Sequence, residues 1–226
     1  MTMIANNLQQ LRARLQQACT QAGRAPQDVT LLAVSKTFGA DAVLEAHAAG
    51  QNAFGENYIQ EAVEKITALA HLPLQWHCIG PIQSNKTRPV AEHFDWVHTV
   101  DRLKIAQRLS EQRPAHLAPL QVCIQVNVDG GPTKSGVAPQ DALALARQVA
   151  VLPRLQLRGL MCIPEPAPDF VASCAVFARA KALFDAIRAA GLPLDTLSMG
   201  MSADLEAAVA SGSTLVRVGS AIFGKR

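Results

Sequence analysis

The chain has 226 residues, 49% of them hydrophobic and 17% charged, with a formal net charge of +3. That length and apolar fraction suit one globular domain and argue against long disorder. The charge surplus contains no basic run and aromatics make up only 4%, which argues against a nucleic-acid interface and leaves a small anionic ligand, for which a few placed residues suffice.

The five cysteines, Cys19, Cys78, Cys123, Cys162 and Cys174, are odd in number and include no C-x-x-C pair. They read as reduced, structural thiols in a reducing compartment. Met1 to Leu15 has polar residues throughout, and no later segment reaches membrane-spanning length. The expectation is a cytoplasmic protein without a membrane segment.

In chain order, Ile4, Leu8, Leu11 and Leu15 recur at helical spacing. They predict an amphipathic helix over 4–22 that stops near Gly23 and packs across one end of the strands and helices beyond it. The apolar run from Val29 to Val34 predicts a first strand buried on both faces, ending at Ser35-Lys36-Thr37. A helix over 41–49, capped by Asp41, leads to a short second strand at 52–57 that ends in Glu56-Asn57, and a further helix runs over 58–70. Strands over 74–80 and 96–100 flank a helix opened by Ser84-Asn85-Lys86, and Asp101 is expected to cap the helix to Gln112. Next come a long fifth strand over 120–128, a Gly/Pro loop over 129–136 and a helix over 139–151. The chain then alternates strand 155–163, helix 169–190, strand 196–199, helix 202–210 and strand 215–218, and closes on Ala221-Ile222-Phe223.

The count decides the architecture. Eight short buried strands alternating with helices predict a parallel sheet with right-handed crossovers, and eight is the number at which such a sheet closes into a barrel. An open doubly wound sheet is the alternative, but its G-x-G-x-x-G loop after strand one is absent. The fold class is therefore α/β, a single (β/α)8 TIM barrel over 1–226 with an extra N-terminal helix.

In such a barrel the functional face lies at the C-terminal ends of the strands. Lys36 ends strand one there. Either its ammonium is desolvated against apolar walls, which lowers a lysine pKa and frees a nucleophilic amine for a Schiff base, or it snorkels to solvent. Ser198-Met199-Gly200-Met201-Ser202 leaves strand seven, and Arg217-Val218-Gly219-Ser220 leaves strand eight. Loops at these two places form the usual barrel phosphate site, with glycine admitting the anion and the Ser202 and Ser220 hydroxyls donating; the plainer reading is two turns and a helix cap. Arg217 lies in an otherwise apolar strand, where it is either a ligand group or a surface residue of an irregular last strand. A lysine, an arginine and a phosphate site on one rim fit a ligand with an aldehyde, a ring heteroatom and a phosphate, and pyridoxal 5′-phosphate has all three.

The segments Ala33-Val34-Ser35-Lys36-Thr37, Phe54-Gly55-Glu56-Asn57-Tyr58, Trp76 to Lys86, Lys134-Ser135-Gly136, Leu157 to Met161 and Leu197 to Ser202 closely resemble the YggS/PROSC family of pyridoxal phosphate homeostasis proteins, in order and along the whole chain. The resemblance implies a barrel like the N-terminal domain of alanine racemase, with pyridoxal 5′-phosphate as a covalent aldimine on Lys36. It implies Arg217 at the pyridine nitrogen, the phosphate at Ser202, Gly219 and Ser220, and Asn57 and Met199 among the cofactor-binding residues. It also implies a binding and regulatory protein without established turnover. Apo forms of pyridoxal-phosphate enzymes are possible partners, no metal is expected, and a monomer is expected, with a weak dimer as the alternative. Where many relatives have a second lysine two positions after the first, this chain has Phe38; Lys134 retains the lysine of the loop after strand five, and Ser220 stands where threonine is common.

An arginine at the pyridine nitrogen disfavours ring protonation, and an unprotonated ring is a poorer electron sink. Racemisation needs a proton donor on each face of the substrate carbon. Lys36 can serve one face, but the tyrosine that serves the other in similar racemases relies on a second domain that this sequence does not show, and Tyr58 is the only tyrosine. His77 and His98 read as satisfied barrel histidines. The leading expectation is a cofactor carrier acting in cofactor homeostasis; the alternatives are a racemase-like enzyme and a phosphate-binding barrel in which Lys36 is only a countercharge.

Overall fold

A computed structural model describes residues 2–131 and 135–224. Eight parallel strands close into a barrel in strict sequence order: β1 Thr30–Val34, β2 Ala53–Glu56, β3 Gln75–Cys78, β4 Trp96–Val100, β5 Leu120–Gln125, β6 Leu155–Met161, β7 Thr196–Ser198 and β8 Leu215–Val218. Helices cover the outside: α1 Met3–Gln21, α2 Ala40–Ala48, α3 Ile59–Ala68, α4 Thr87–His93, α5 Leu103–Gln112, α6 Ala142–Ala150, α7 Phe170–Ala189, α8 Leu205–Ala210 and α9 Ser220–Phe223. Closure requires the last strand to meet the first, and β8 does so with Leu32 opposite Arg217 and Ala33 opposite Val218. The closed barrel settles the choice against an open doubly wound sheet.

Strand side chains alternate between two cores. Outward residues such as Ala33, Phe54, Val97 and Val216 pack against the helices in one large apolar layer. Inward residues form two smaller clusters, Leu32, Val34, Ile79 and Leu215 on one side and Trp96, Cys123 and Met161 on the other. Between them the interior is polar, lined by His77, His98, Ser198 and Arg217, all nearly inaccessible.

Several expected details differ. The structure sets α1 against the ring helices α2 and α8 and against α9, at the seam of β8 and β1, not across an end. Arg14 binds Glu206 with two hydrogen bonds of 2.6 Å, and Asn7 donates to the Ile222 carbonyl, so long-range polar contacts direct it there. Asp41 lies in the first turn of α2, which begins after Gly39. Asp101 pairs with Arg102 at 2.7 Å and leaves α5 to start at Leu103. Ser202 does not open α8: the Asp204 carboxylate accepts from the Met201 N–H at 2.6 Å and delays the helix to Leu205. At Asp101 and Asp204 a carboxylate found a nearer partner than a helix end.

Candidate functional site

Lys36 follows Leu32 and Val34 at the inward parity of β1. The Ser35 N–H donates to the Gly55 carbonyl at 3.0 Å, so the ladder continues one residue past the strand. The chain then turns: Phe38 N–H returns to the Ser35 carbonyl at 3.1 Å, and Thr37 takes φ +67°, unusual for a branched residue. Lys36 thus stands on a tight turn at the rim. Its side chain is exposed, which is the second of the two readings, a lysine that reaches solvent from the strand end.

The turn is held by a buried cluster that no local sequence pattern marks. Lys65 Nζ, reaching from α3, contacts the Ser35 carbonyl at 2.9 Å, the Phe38 carbonyl at 2.8 Å, Glu56 Oε1 at 2.5 Å and Glu61 Oε1 at 2.9 Å. Glu61 Oε1 also accepts from the Thr37 N–H at 2.7 Å. Glu56 is fully buried; burial raises its pKa, and hydrogen bonds from Lys65 and Ser35 oppose that rise. The available signal was Lys65 itself, a lysine on the buried face of α3 with Ala62.

The β8 register brings the second group beside the first. Continued by one residue, it sets Gly219 next to Val34, and a Cβ on Gly219 would lie 3.1 Å from the Val34 carbonyl oxygen. Ser220 is exposed and Ser202 half-buried, and neither hydroxyl has a hydrogen-bond partner among the described residues. The first-turn amides of α9, at Ser220 and Ala221, have no acceptor within the helix. Gly200, at φ +97°, turns the loop after β7 so that its carbonyl accepts from the Arg217 N–H at 3.0 Å, tying the two loops together.

Arg217 points into the barrel and is 4% exposed, which removes the reading of a surface arginine. Its Nη1 donates to Ser198 Oγ at 2.6 Å and its Nη2 to the Cys162 carbonyl at 2.9 Å. No carboxylate of the described residues pairs with it, and burial lowers its pKa. The Asn57 Oδ1 atom is buried without a hydrogen-bond partner, another polar group left over at the rim.

Not every expected residue joins the group. Met199 is fully buried in the outer apolar layer. Its N–H donates to the Leu215 carbonyl and its own carbonyl accepts from Ser213 at 2.7 Å, so its backbone is engaged in the barrel wall. Tyr58 is 54% exposed beside Asn57, in an 880 Å³ groove between the loops that follow β2 and β3. Neither that groove nor a 480 Å³ hollow against Thr37 and Phe38 takes in Lys36 or Arg217. Lys134 lies outside the described residues. Among those residues no cluster of potential metal ligands occurs, and no helix is long and apolar enough to cross a membrane.

The alanine racemase N-terminal domain family matches residues 6–226. The pyridoxal phosphate homeostasis protein of Pseudomonas aeruginosa is 62% identical over all of this chain and 97% of its own length. That of Escherichia coli is 53% identical over all of this chain and 98% of its own. Among solved structures, PipY of Synechococcus elongatus with pyridoxal phosphate bound aligns over 98% of this chain and 100% of its own, at TM-score 0.85 and 40% identity. Alanine racemase of Corynebacterium glutamicum shares the fold at TM-score 0.71 and 19% identity, with 99% of this chain matching 61% of that one. With a family match from residue 6 to the last residue and curated relatives more than half identical along their whole length, the chain belongs to the family of pyridoxal phosphate homeostasis proteins, on an alanine racemase N-terminal domain.

Proposed function

We propose that this protein holds pyridoxal 5′-phosphate at the C-terminal mouth of the barrel and serves cofactor homeostasis as a cytoplasmic carrier, without turnover of its own. The observation that carries the reading is Arg217: a buried cation with no carboxylate among the described residues, on the strand that pairs with the one delivering Lys36. Such a cation is costly unless a ligand uses it. The leftover polar groups fit this cofactor. Lys36 offers an exposed amine for covalent attachment, Arg217 a donor for the ring nitrogen, and Ser202, Gly219 and Ser220 two free hydroxyls and a close backbone approach for the phosphate. Asn57 adds a spare acceptor at the rim.

Bound there, the cofactor supplies an aldehyde that condenses with an amine and a ring that withdraws electrons when its nitrogen is protonated. A permanent guanidinium facing that nitrogen keeps the proton off, which weakens the ring as an electron sink. His77 and His98 lie inside the barrel with both ring nitrogens of each already in hydrogen bonds, so neither is available as a base for the far face of a substrate. Five free thiols suit a reducing compartment. An open rim lets solvent reach the Lys36 amine, which fits a cofactor that is released to apo-enzymes.

The test is the visible spectrum of the purified protein before and after borohydride, with peptide mapping. The expected result is a band that disappears on reduction, with the pyridoxyl mass on the Lys36 peptide. A protein that stays colourless with added pyridoxal phosphate overturns the reading. Exchange of the α-hydrogen of alanine with solvent at enzymatic rates overturns the absence of turnover.

A further inference from the structure

A chain of hydrogen bonds runs through the barrel interior from Arg217 to the opposite end. Arg217 Nη1 donates to Ser198 Oγ at 2.6 Å; Ser198 Oγ lies 2.9 Å from His98 Nδ1; His98 Nε2 lies 2.9 Å from His77 Nδ1; His77 Nε2 lies 3.0 Å from Gln75 Oε1. The link between β4 and β7 joins strands that are not neighbours in the barrel. It therefore crosses the interior. His77 is further pinned by stacking on Trp96 at 5.2 Å and 7°, and the Arg158 guanidinium lies over the Trp96 ring at 4.9 Å.

The two ends set the polarity of the chain as the side chains stand. A guanidinium only donates, and the Gln75 amide turns its oxygen, an acceptor, toward His77. Both histidines are buried, and burial holds them neutral: His77 is pulled down to about 3 and His98 well below its ordinary value. Each ring then carries one proton. Gln75 Oε1 requires it on His77 Nε2, which leaves His77 Nδ1 to accept from His98 Nε2. His98 Nδ1 must then accept the Ser198 hydroxyl proton, and the Ser198 lone pair is turned onto Arg217. A carboxylate in place of this chain would orient the guanidinium but also quench its charge. Neutral imidazoles orient it and leave its charge for the ligand.

We propose that His98 and His77 are positioning residues for Arg217, acting through the Ser198 hydroxyl to aim the guanidinium at the cofactor ring nitrogen. The inference rests on the proposed contact between Arg217 and that nitrogen. The first test uses the ligand-free protein: nitrogen-edited NMR of the imidazoles is expected to show both histidines as neutral Nε2–H tautomers. An Nδ1–H tautomer of His98, which would accompany a reversed chain, or a charged His98 at neutral pH, overturns the proposal.

The second test loads wild type, His98→Phe, His98→Gln and Ser198→Ala with pyridoxal phosphate. His98→Phe and Ser198→Ala are expected to shift the bound-cofactor absorption maximum and its pH titration, and to release cofactor on dialysis about tenfold faster, the effect of about one charge-assisted hydrogen bond. His98→Gln restores an acceptor for Ser198 and is expected to recover most of the wild-type spectrum. A spectrum unchanged in Ser198→Ala, a small substitution that serves if His98→Phe fails to fold, overturns the proposal. A wild type that takes up no cofactor overturns the reading of Arg217 as well; a wild type that binds normally beside silent variants overturns this proposal alone.

Discussion

Replacing Lys65 with methionine tests whether the turn bearing Lys36 depends on a buried ammonium. Lys65 is 5% exposed, and its Nζ has two carbonyls and two carboxylates within 2.9 Å. Removing it leaves the fully buried Glu56 without its cation and the Ser35 and Phe38 carbonyls without that donor. Breaking one side of a buried ion pair costs about 3–5 kcal/mol. For a chain of this size that lowers the melting temperature by about 6–20 °C. Glu61 is partly exposed, so its share of the pairing adds little.

The loss should depend on pH in a stated direction. Burial raises the Glu56 pKa in the folded protein. A raised value contributes stability that is present below the unfolded value, about 4.3, and is lost as pH rises through the folded one. Without Lys65 the folded value climbs further, so the variant loses more at pH 8 than at pH 5. Urea denaturation of wild type, Lys65→Met and Lys65→Met with Glu56→Gln at both pH values measures this. The added Glu56→Gln should recover much of the loss, because a neutral amide needs no cation. A loss below about 1 kcal/mol, the worth of an exposed pair, would refute the reasoning. So would a loss equal at both pH values and unrelieved by Glu56→Gln.

Arg217→Met removes a buried cation that has no carboxylate among the described residues, so the ligand-free protein should lose less than about 1 kcal/mol by urea denaturation while its retention of pyridoxal phosphate on dialysis falls. Gly200→Ala meets a positive φ and an Ala208 Cβ 2.4 Å from the new methyl; it should cost at least about 2 kcal/mol in the same assay, and a neutral result would contradict the loop geometry. Because His77 titrates near 3 when folded and near 6.5 unfolded, wild-type stability should fall as pH drops through that window, by up to about 1.4 kcal/mol per pH unit for this group. His77→Gln should flatten the slope. Burial pushes the Cys78, Cys123 and Cys162 thiols up to about 12, so a thiol reagent at pH 8 should leave these three unmodified in the native state and reach them only in urea.

The barrel was legible because its signals are local. Eight apolar runs separated by helical spacing survive any uncertainty at their ends, and all eight strands fall within the ranges expected for them. The helix starts were less legible: Asp101 pairs with Arg102 and Asp204 accepts from the Met201 N–H, and only three-dimensional proximity chose these partners. Met199 illustrates the same limit: a motif places a residue on a loop, but the parity of β7 decides that its neighbour Ser198 faces inward and Met199 outward. Lys65 was a single charge in a helical pattern, unremarkable until α3 packs beneath the turn of Lys36.

Local pattern was enough to establish the alternation of strands and helices, the lysine at the end of the first strand and the glycine–serine loops after the last two, because backbone preference and hydrophobic period act between near neighbours. Three other features emerge from packing alone: Arg217 meets no carboxylate of the described residues, Lys36 stands exposed over a buried ion-pair cluster, and two histidines join Ser198 across the barrel. These depend on which strands closure brings face to face across an interior, and residues 100 apart in the chain, such as His98 and Ser198, have no local signal of that meeting.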